Sequence, residues 1–382
     1  MGADYEFINK TIFIISYEEW GDMLMSKHHY AIELGKKGNK VYFINHPDRK
    51  YRLKRGEIKI SKTDFKNVFS VAHRLIHPYF LKYKVKWLYN FLTGLHISKI
   101  IRKIGFYPEV VWSFDIGNSI PIKYFPKSKY RIYMPVDGPF GSIDEMKAVK
   151  KADIILSVSD EILNSFCEMN LVKVKINHGV AEEFINKTIV KKMTTAIKVG
   201  YSGSLLRGDI DIETLKEIIT THLNVKFEFW GECDPLNSTI HFNQDISIET
   251  IEFLEFLKNC PNVVLHGTQK PNKLASGLKD MDILLVAYKP TKDNTQNSHK
   301  ILEYLGTGKV IVSSFMSAYA NNYEMINMVS RESAKRELVK LFTSVIDNLD
   351  VHNCETYQQR RVDFAQQFTY SKQIEKIEKL LC

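Results

Sequence analysis

A regular alternation of short apolar segments with longer amphipathic ones along the whole chain constrains the fold most. The apolar segments are continuous rather than alternating, which is typical of parallel strands covered on both faces. The first series predicts strands at residues 11–16, 41–45, 68–72, 110–114, 130–134, 154–158 and 172–176. A second series predicts strands at residues 198–201, 225–230, 263–266, 283–287 and 310–313. Two successive series of this kind predict an α/β protein with two Rossmann-like, doubly wound domains.

Polar residues without clear periodicity separate the two series at 181–196, and we interpret them as a linker. The predicted domains are residues 1–185 and 197–352, followed by a C-terminal helix within 353–382 that packs back toward the first domain. Helices are predicted at residues 22–37, 79–104, 160–169, 212–222, 249–258, 272–279, 299–306, 332–348 and 356–381. Because doubly wound sheets bind ligands at the carboxyl ends of their strands, we expect the active site in a cleft between the domains.

Composition narrows the class of protein and the compartment. The longest apolar runs, such as 12–15 and 283–287, are too short to span a bilayer, and the acidic start does not resemble a signal peptide. The five cysteines are isolated in the sequence, which is typical of reduced thiols in a cytosolic protein. These features predict a cytoplasmic protein.

The segment Ser298 to Ser314, SHKILEYLGTGKVIVSS, carries the strongest functional signal. A predicted helix begins near Ser298, and a helix N-terminus offers free backbone N–H groups and a positive dipole end to a phosphate. Lys300 and Glu303 are three residues apart, so they share one face of that helix. The pair suits a nucleotide, with Lys300 on the diphosphate and Glu303 on the ribose hydroxyls. An ordinary surface ion pair has the same spacing and stays open as the alternative.

This segment resembles the donor-binding motif of GT-B glycosyltransferases, and of glycosyltransferase family 4 in particular, where a Lys-x-x-Glu-Tyr-Leu helix runs into Gly-Lys-x-Val. The resemblance implies that Glu303 binds the donor ribose, that transfer retains the anomeric configuration, and that no divalent metal is needed. An earlier glutamate of the family pattern is replaced here by Thr295. Asn297 and Ser298, which precede the helix, resemble the branch of teichuronic-acid and capsule-polysaccharide glycosyltransferases.

Two further segments resemble the same families. Residues 198–205, KVGYSGSL, resemble the strand and glycine loop that lie against the donor diphosphate, and Arg207 follows this loop as a cation for phosphate. Residues 176–184, INHGVAEEF, resemble the signature that ends the first domain. The predicted donor-binding residues are Gly203, Ser204, Arg207, Ser298, Lys300 and Glu303.

Three residues of the first domain are candidates for the catalytic chemistry. Asp115 and Asp137 each follow a predicted strand at the end that faces the expected cleft. Either carboxylate is able to accept a proton from an acceptor hydroxyl, while capping of a turn is an equally good explanation for both. His28 lies in the loop and helix after the first strand, where it either faces the acceptor or lies on the helix surface.

The chain also contains two Asp-x-Asp pairs, Asp209 with Asp211 and Asp280 with Asp282. They superficially match the metal-binding motif of the other glycosyltransferase fold. Asp209 and Asp211 lie at a predicted helix start, where aspartate commonly caps, and the second pair joins a helix end to a strand. We therefore expect neither a metal nor another cofactor.

These observations lead to a functional hypothesis. The protein transfers a sugar from a nucleotide-diphosphate sugar to a hydroxyl acceptor, in the synthesis of a surface polysaccharide or glycolipid. The alternatives are a nucleotide-sugar 2-epimerase of the same fold, a basic nucleic-acid-binding protein and a scaffold without activity. We expect no nucleic-acid partner, because the basic residues lie inside a β/α domain and form no nucleic-acid-binding module.

The positive charge of the chain is concentrated in residues 49–106. This stretch holds 15 basic and two acidic residues, a net charge of +13, whereas the whole chain has +9. Aromatic residues alternate there with Lys82, Lys84 and Lys86. That mixture suits an anionic membrane surface at the inner face of the membrane, where a lipid-linked acceptor would be found. The alternative is an ordinary surface helix whose apolar residues form its core face.

Overall fold

The computed structural model describes residues 6–21, 24–136, 143–189, 196–235, 246–289, 298–332 and 336–381. The chain forms two compact units: Met1–His178 together with Tyr370–Cys382, and Gly179–Thr369. Each unit contains one sheet within its described residues. Within the described residues, no helix combines the length and the apolar character needed to cross a bilayer.

The first unit contains an eight-stranded sheet, counted over its described residues, in the order β3-β4-β2-β1-β5-β6-β7-β8. The strands are β1 Thr11–Ile15, β2 Lys40–Ile44, β3 Ile58–Lys62, β4 Val68–His73, β5 Val110–Ser113, β6 Tyr130–Tyr133, β7 Ile154–Ser157 and β8 Val172–Lys175. The helices are α1 Ser26–Lys36, α2 Leu81–Lys84, α3 Lys86–Ile104, α4 Ile143–Val149, α5 Asp160–Asn164 and α13 Tyr370–Leu380. The central strands β1 and β5 are buried along almost their whole length, as their continuous apolar sequence predicts.

The second unit contains a parallel sheet, six-stranded in its described part, in the order β11-β10-β9-β12-β13-β14. The strands are β9 Lys198–Ser202, β10 Lys226–Trp230, β11 Val263–Leu265, β12 Ile283–Val286, β13 Val310–Ser313 and β14 Asn327–Met328. The helices are α6 Ile212–Thr221, α7 Ile248–Asn259, α8 Pro271–Lys279, α9 Lys300–Thr307, α10 Glu337–Asp347, α11 Leu349–His352 and α12 Glu355–Gln366.

The strand order of each sheet reverses direction once. In the first unit the chain runs outward from β1 and then returns to the other side of β1 with β5. In the second unit it runs outward from β9 and returns beside it with β12. Doubly wound proteins bind ligands at the carboxyl ends of the strands at such a reversal. We therefore expect ligands to bind beside the residues that follow β1 and β5 in the first unit, and beside those that follow β9 and β12 in the second.

The end of the chain differs from the single predicted helix over 356–381. It forms two helices, α12 and α13, which belong to different units. Arg361 of α12 donates to the carbonyl oxygens of Gly308, Met325 and His352, which holds α12 in the second unit. In the first unit, Glu378 of α13 accepts hydrogen bonds from Lys37 Nζ at 2.6 and 2.7 Å.

The first unit differs from the prediction at two places. Strand β3 was not predicted, and it pairs antiparallel with β4 at the sheet edge, with Ile58 and Ile60 packed against the core. The helix predicted over 79–104 is divided at Val85, whose backbone lies outside the helical region, into α2 and α3.

Candidate active site

The loop after β9 approaches the start of α9 closely. Gly203 has φ +132°, and its N–H donates to the carbonyl oxygen of Trp230 at 2.7 Å. A β-carbon at Gly203 would overlap the ammonium group of Lys300 and lie 2.6 Å from its Cε. The site therefore requires glycine both for its backbone conformation and for the space that the lysine occupies.

Lys300, the first residue of α9, is a buried cation in an aromatic surrounding. Its side chain reaches the carboxyl ends of β9 and β12, and the residue is 6% exposed. The ammonium donates to the hydroxyl of Tyr288 at 2.6 Å and lies 4.9 Å from the ring centre of Tyr201. Within the described residues, no carboxylate forms an ion pair with it. A buried charge without a counter-charge is costly, so this ammonium is placed to receive an anion.

Glu303 lies one turn further along α9 and does not pair with Lys300. Its side chain is 14% exposed, and its Oε1 lies 3.9 Å from Nε2 of His299. Its carboxylate accepts no hydrogen bond from the described part of the chain. Burial raises the pKa of Glu303 to about 8, against an opposing effect of Lys300. The alternative of a surface ion pair between Lys300 and Glu303 is thereby excluded, because the two side chains are not paired and neither is exposed.

The tyrosines around Lys300 respond to the same charges. Burial raises the pKa of the Tyr288 phenol, but Lys300 and Arg207 together hold it below its ordinary value. Burial raises the pKa of Tyr201 well above its ordinary value. The hydroxyl of Tyr304 on α9 accepts from the backbone N–H of Ser202 at 2.7 Å, which fixes α9 against the end of β9. The three tyrosines thus set the position of the lysine.

The other predicted donor-binding residues lie at the same strand ends. Arg207 pairs through both branches with Asp209, at 2.8 Å between Nε and Oδ1, and its guanidinium lies over the ring of Tyr288. Ser204 is buried, and its hydroxyl accepts from the N–H of Leu206 at 3.3 Å. The carbonyl of Ser298 accepts from the N–H of Ile301 in the first turn before α9. Arg207 therefore already has a carboxylate partner, whereas Lys300 has none among the described residues.

Asp115 lies directly beyond β5 in the first unit and is fully buried. Its Oδ2 accepts from the N–H and hydroxyl of Ser119, at 2.7 and 2.5 Å, and from the N–H of Ile120 at 3.2 Å. Its Oδ1 is buried and has no hydrogen-bond partner in the described chain. Asp115 thus combines a turn-stabilising oxygen with one that is left to accept a proton or a hydroxyl donor.

The other two catalytic candidates from the sequence are Asp137 and His28. Asp137 lies outside the described residues. His28 is buried, with its ring stacked on Phe43 at 4.6 Å, and burial lowers its pKa to about 4. Its Nδ1 accepts from the N–H of Met25 at 3.0 Å, and its Nε2 lies 3.2 Å from the carbonyl oxygen of Glu19. Both ring nitrogens have structural partners, so we do not retain His28 as a catalytic candidate.

The two Asp-x-Asp pairs have other partners. Asp211 caps α6 by accepting from Thr214, and Asp282 accepts from the backbone N–H of Lys198 at 2.9 Å. Asp280 pairs with the side chain of Lys198 at 2.7 Å. The described residues hold no cluster of three or more His, Cys, Asp or Glu arranged to bind a metal ion. Independence from metal stays a prediction.

No protein-family model matches the sequence, and no curated protein matches it. Solved structures do match, at 10–12% identity. They include a trehalose-phosphate synthase of Burkholderia xenovorans in complex with glucose-6-phosphate, with TM-score 0.67, 12% identity and coverage of 97% of this chain and 99% of that one. Sucrose-phosphate synthase of Thermosynechococcus elongatus has TM-score 0.63, 11% identity and coverage of 97% and 98%. Anabaena HepE in complex with UDP and glucose has TM-score 0.62, 10% identity and coverage of 97% and 99%.

The chain has the GT-B fold. The prediction of two Rossmann-like α/β domains is confirmed by this likeness over nearly the whole length of the compared chains.

Sequence reasoning missed several residues at these strand ends. Tyr201 and Tyr288 contact Lys300, while Tyr17 and His46 follow β1 and β2 in the first unit. The strand-end rule that selected Asp115 also applies to Tyr17, His46 and Tyr288. It was applied only to carboxylates, although aromatic and imidazole side chains bind ligands at the same positions.

Proposed function

We propose that the protein is a nucleotide-sugar-dependent glycosyltransferase that moves a sugar to a hydroxyl acceptor with retention of configuration. The observation that carries this proposal is the buried ammonium of Lys300, which has no carboxylate partner in the described chain and lies beside Gly203 at a strand reversal. A diphosphate supplies the missing negative charge. Glycosyl transfer by the trehalose-phosphate and sucrose-phosphate synthases of this fold agrees with that assignment.

Each side chain of the second unit has a role in this proposal. Lys300 and the positive dipole end at the start of α9 bind the diphosphate, since a helix N-terminus favours anions. The loop at Gly203 and Ser204 lets the phosphates approach the backbone. Glu303 accepts hydrogen bonds from the ribose hydroxyls. Arg207 adds positive charge at the edge of the site, although Asp209 already holds its guanidinium.

The reaction balances without a cofactor. The acceptor oxygen forms a bond to the anomeric carbon, and the bond from that carbon to the diphosphate oxygen breaks. Negative charge builds up on the departing diphosphate, where Lys300 and the dipole of α9 stabilise it. The acceptor proton passes to a base, for which Asp115 Oδ1 is the described candidate. A trehalose-6-phosphate synthase of this fold has been used to study glycosyl transfer with retention.

Binding of nucleoside diphosphates tests the proposal first. UDP, ADP and GDP are titrated into the full chain, together with the corresponding nucleosides. Lys300→Gln should weaken binding of the preferred diphosphate about tenfold or more, because a hydrogen bond to a charged group contributes roughly 1.5–3 kcal/mol, and should leave nucleoside binding nearly unchanged. Lys279→Gln is the matched control, since Lys279 is a half-buried lysine that donates to the carbonyl oxygens of Glu183 and Ile185.

Two outcomes of these measurements contradict the proposal. Either none of the diphosphates binds, or Lys300→Gln weakens the diphosphate and the nucleoside equally. With the preferred base identified, its nucleotide sugars are incubated with and without hydroxyl acceptors. A change in the sugar without an acceptor would identify an epimerase instead of a transferase.

We further propose that the acceptor is reached at an anionic membrane surface, in the synthesis of a surface polysaccharide or glycolipid. The supporting feature is a stripe of exposed apolar residues on α2 and α3. The interfacial stripe consists of Phe80, Tyr83, Trp87, Phe91 and Leu95. On α3, Trp87, Phe91 and Leu95 recur every four residues and share one face. Phe80 and Tyr83 precede the break at Val85, and Tyr83 and Trp87 are 77% and 72% exposed.

The interfacial stripe is separate from the core face of α3. That face consists of Tyr89, Thr93, His96, Ile97, Ile100 and Ile104, all of them buried. His96 of this core face is fully buried and lies 2.9 Å from the ring of His73, between Nε2 and Nδ1. Lys84 and Lys86 are exposed beside the stripe. Aromatic side chains flanked by lysines suit the headgroup region of an anionic bilayer.

Vesicle co-sedimentation tests the membrane proposal. The protein should sediment with phosphatidylcholine vesicles that contain phosphatidylglycerol, and salt should weaken the binding. The double change Trp87→Ser and Phe91→Ser should remove most of it, whereas Phe106→Ser should not, because Phe106 is an exposed aromatic residue outside the stripe. Equal sedimentation of the double variant and the control, or none with anionic vesicles, would refute the proposal.

A further inference from the structure

A group of polar side chains in the first unit has no role in the donor site. It lies where β1, β2 and β5 end, at the strand reversal of the first sheet. We call this group the acceptor cluster, and its members are Tyr17, His46, Arg49, Tyr79, Lys82 and Asp115. Two kinds of unsatisfied group meet in it.

The first kind consists of buried hydrogen-bond acceptors. Asp115 Oδ1 is buried without a hydrogen-bond partner. His46 Nδ1 lies 2.9 Å from the carbonyl oxygen of Pro47, which only accepts, so Nδ1 carries the proton. His46 Nε2 then keeps its lone pair in the neutral ring, and it is also buried without a partner. Burial and Arg49 lower the pKa of His46, against a smaller effect of Asp115, so the ring is neutral at neutral pH. Both atoms are therefore open to an O–H or N–H donor from a ligand.

Short contacts connect these two acceptors. A β-carbon at Gly117 would lie 3.3 Å from Asp115 Oδ1 and 3.5 Å from the ring of Tyr17. The Tyr17 ring in turn meets the His46 ring edge-on, with 5.3 Å between ring centres. Tyr17 thus lies beside both unsatisfied acceptors, and it is itself exposed.

The second kind consists of cations without a counter-charge. The Arg49 guanidinium lies 4.2 Å from the ring centre of Tyr79. Lys82 Nζ lies 3.3 Å from the Tyr79 hydroxyl and donates to the carbonyl oxygen of Gly117 at 3.2 Å. Neither cation forms an ion pair with a carboxylate in the described residues. Lys82 thus contacts Gly117, the residue whose β-carbon position would lie 3.3 Å from Asp115 Oδ1.

We propose that the acceptor cluster binds a hydroxyl-bearing phosphate ester, with the hydroxyl groups donating to Asp115 Oδ1 and His46 Nε2 and the phosphate held by Arg49 and Lys82. The inference rests on the proposed glycosyl transfer and names the chemical class of its acceptor. Arginine and lysine recognise phosphate oxygens through charge-assisted hydrogen bonds. The exposed Tyr17 ring offers an apolar face to the sugar or polyol. The phosphate belongs either to a free sugar phosphate or to a lipid headgroup.

Calorimetric titration of the full chain with a panel of hexose monophosphates tests the proposal, with inorganic phosphate and the plain hexoses as partial ligands. The best hexose phosphate should bind at least tenfold more tightly than either part. Arg49→Gln should weaken it about tenfold or more, since a charge-assisted bond is lost. The matched control is Arg74→Gln, because Arg74 also lies over a tyrosine, at 4.3 Å, but donates to the carbonyl of Leu53.

Asp115→Asn tests the hydroxyl half. Asparagine keeps one carbonyl oxygen for the bonds from Ser119, and it replaces the free oxygen by an NH₂ group that donates instead of accepting. Binding of the hexose phosphate should weaken, while binding of inorganic phosphate stays unchanged. A melting temperature close to that of the unchanged protein confirms that the fold survives.

The lipid arm compares vesicles of phosphatidylcholine that contain phosphatidylinositol with vesicles that contain an equal fraction of phosphatidylserine. Binding of a soluble hexose phosphate that Arg49→Gln abolishes places the phosphate on a free sugar. A preference for phosphatidylinositol that Arg49→Gln abolishes places it in a headgroup. If no probe depends on Arg49 and Asp115, the inference is overturned.

The nucleoside diphosphates, titrated into the same preparations, separate this inference from the proposed function. Normal diphosphate binding with an inert acceptor cluster refutes only the acceptor assignment. Hexose-phosphate binding without diphosphate binding refutes the donor site and leaves the acceptor cluster standing.

Discussion

Glu303→Gln should stabilise the second unit and weaken nucleotide binding at the same time. The pKa of Glu303 is raised from 4.5 to about 8 by burial. The folded protein therefore keeps this carboxyl protonated at pH 7, whereas the unfolded chain releases the proton. Stability from this group is complete below pH 4.5 and is lost as the pH rises toward 8. Glutamine does not ionise, so the variant is free of this loss.

The size of the effect follows from the two pKa values. Each pH unit between them costs about 1.4 kcal/mol, so the loss is roughly 3 kcal/mol at pH 7 and about 5 kcal/mol above pH 8. For a unit of this size, 1 kcal/mol changes the melting temperature by about 2–4 °C. The Glu303→Gln variant should therefore melt roughly 6–12 °C higher than the unchanged protein at pH 7 and at nearly the same temperature at pH 4.5.

Differential scanning calorimetry across this pH range measures the difference. The transition of the second unit is the one that a bound nucleoside diphosphate raises. Glu252→Gln is the matched control, because it removes the same charge from an exposed position on α7. A Glu303→Gln difference that does not grow with pH, or that equals the control, would refute the raised pKa. In the proposed donor site the variant should also bind the diphosphate less tightly, because the amide oxygen still accepts from the ribose but lacks the charge that strengthens the bond.

Three further outcomes are expected. Gly203→Ala should abolish nucleoside diphosphate binding in calorimetry, because the added methyl group occupies the position of the Lys300 ammonium. Arg361→Lys should lower the stability of the second unit by about 2 kcal/mol or more in urea titration, since lysine cannot donate to the three carbonyl oxygens that the buried guanidinium reaches. Glycosyl transfer should persist in EDTA; abolition by the chelator, with rescue by magnesium, would contradict the expected independence from metal.

The fold was predictable because its strongest signal is local. Continuous apolar runs such as β12, Ile283–Val286, are too short for a typical helix and therefore favour buried strands. Strand β3 escaped because its signal is weak: Ile58 and Ile60 alternate with lysine and serine inside the most basic part of the chain. The break in the C-terminal tail escaped for a different reason. Residues 367–369 include no glycine or proline, and the backbone after α12 is held instead by a tertiary contact, in which the N–H of Val180 donates to the carbonyl oxygen of Phe368 at 2.9 Å.

The position of the candidate site was predictable, but the state of its charges was not. Spacing along a helix places Lys300 and Glu303 on one face, and it leaves open whether they pair. Residues outside the helix decide whether the two side chains pair. Gly203, in the loop after β9, makes room for the ammonium, and Tyr288, after β12, binds it. Because Lys300 binds Tyr288 instead, Glu303 accepts no hydrogen bond from the described residues, and burial raises its pKa.

The separation of Lys300 from Glu303 links stability to function in the second unit. An ion pair between these residues on the surface would contribute little to stability. It would also give no reason for either side chain to be buried. Here both groups are kept out of water and apart, which costs stability in the empty protein. In the proposed donor site a nucleoside diphosphate relieves both costs, because its phosphates would neutralise Lys300 and its ribose hydroxyls would donate to an ionised Glu303. The same ligand that stabilises the unit should therefore release a proton as it binds between about pH 5 and 8, and the Gln variant should release none.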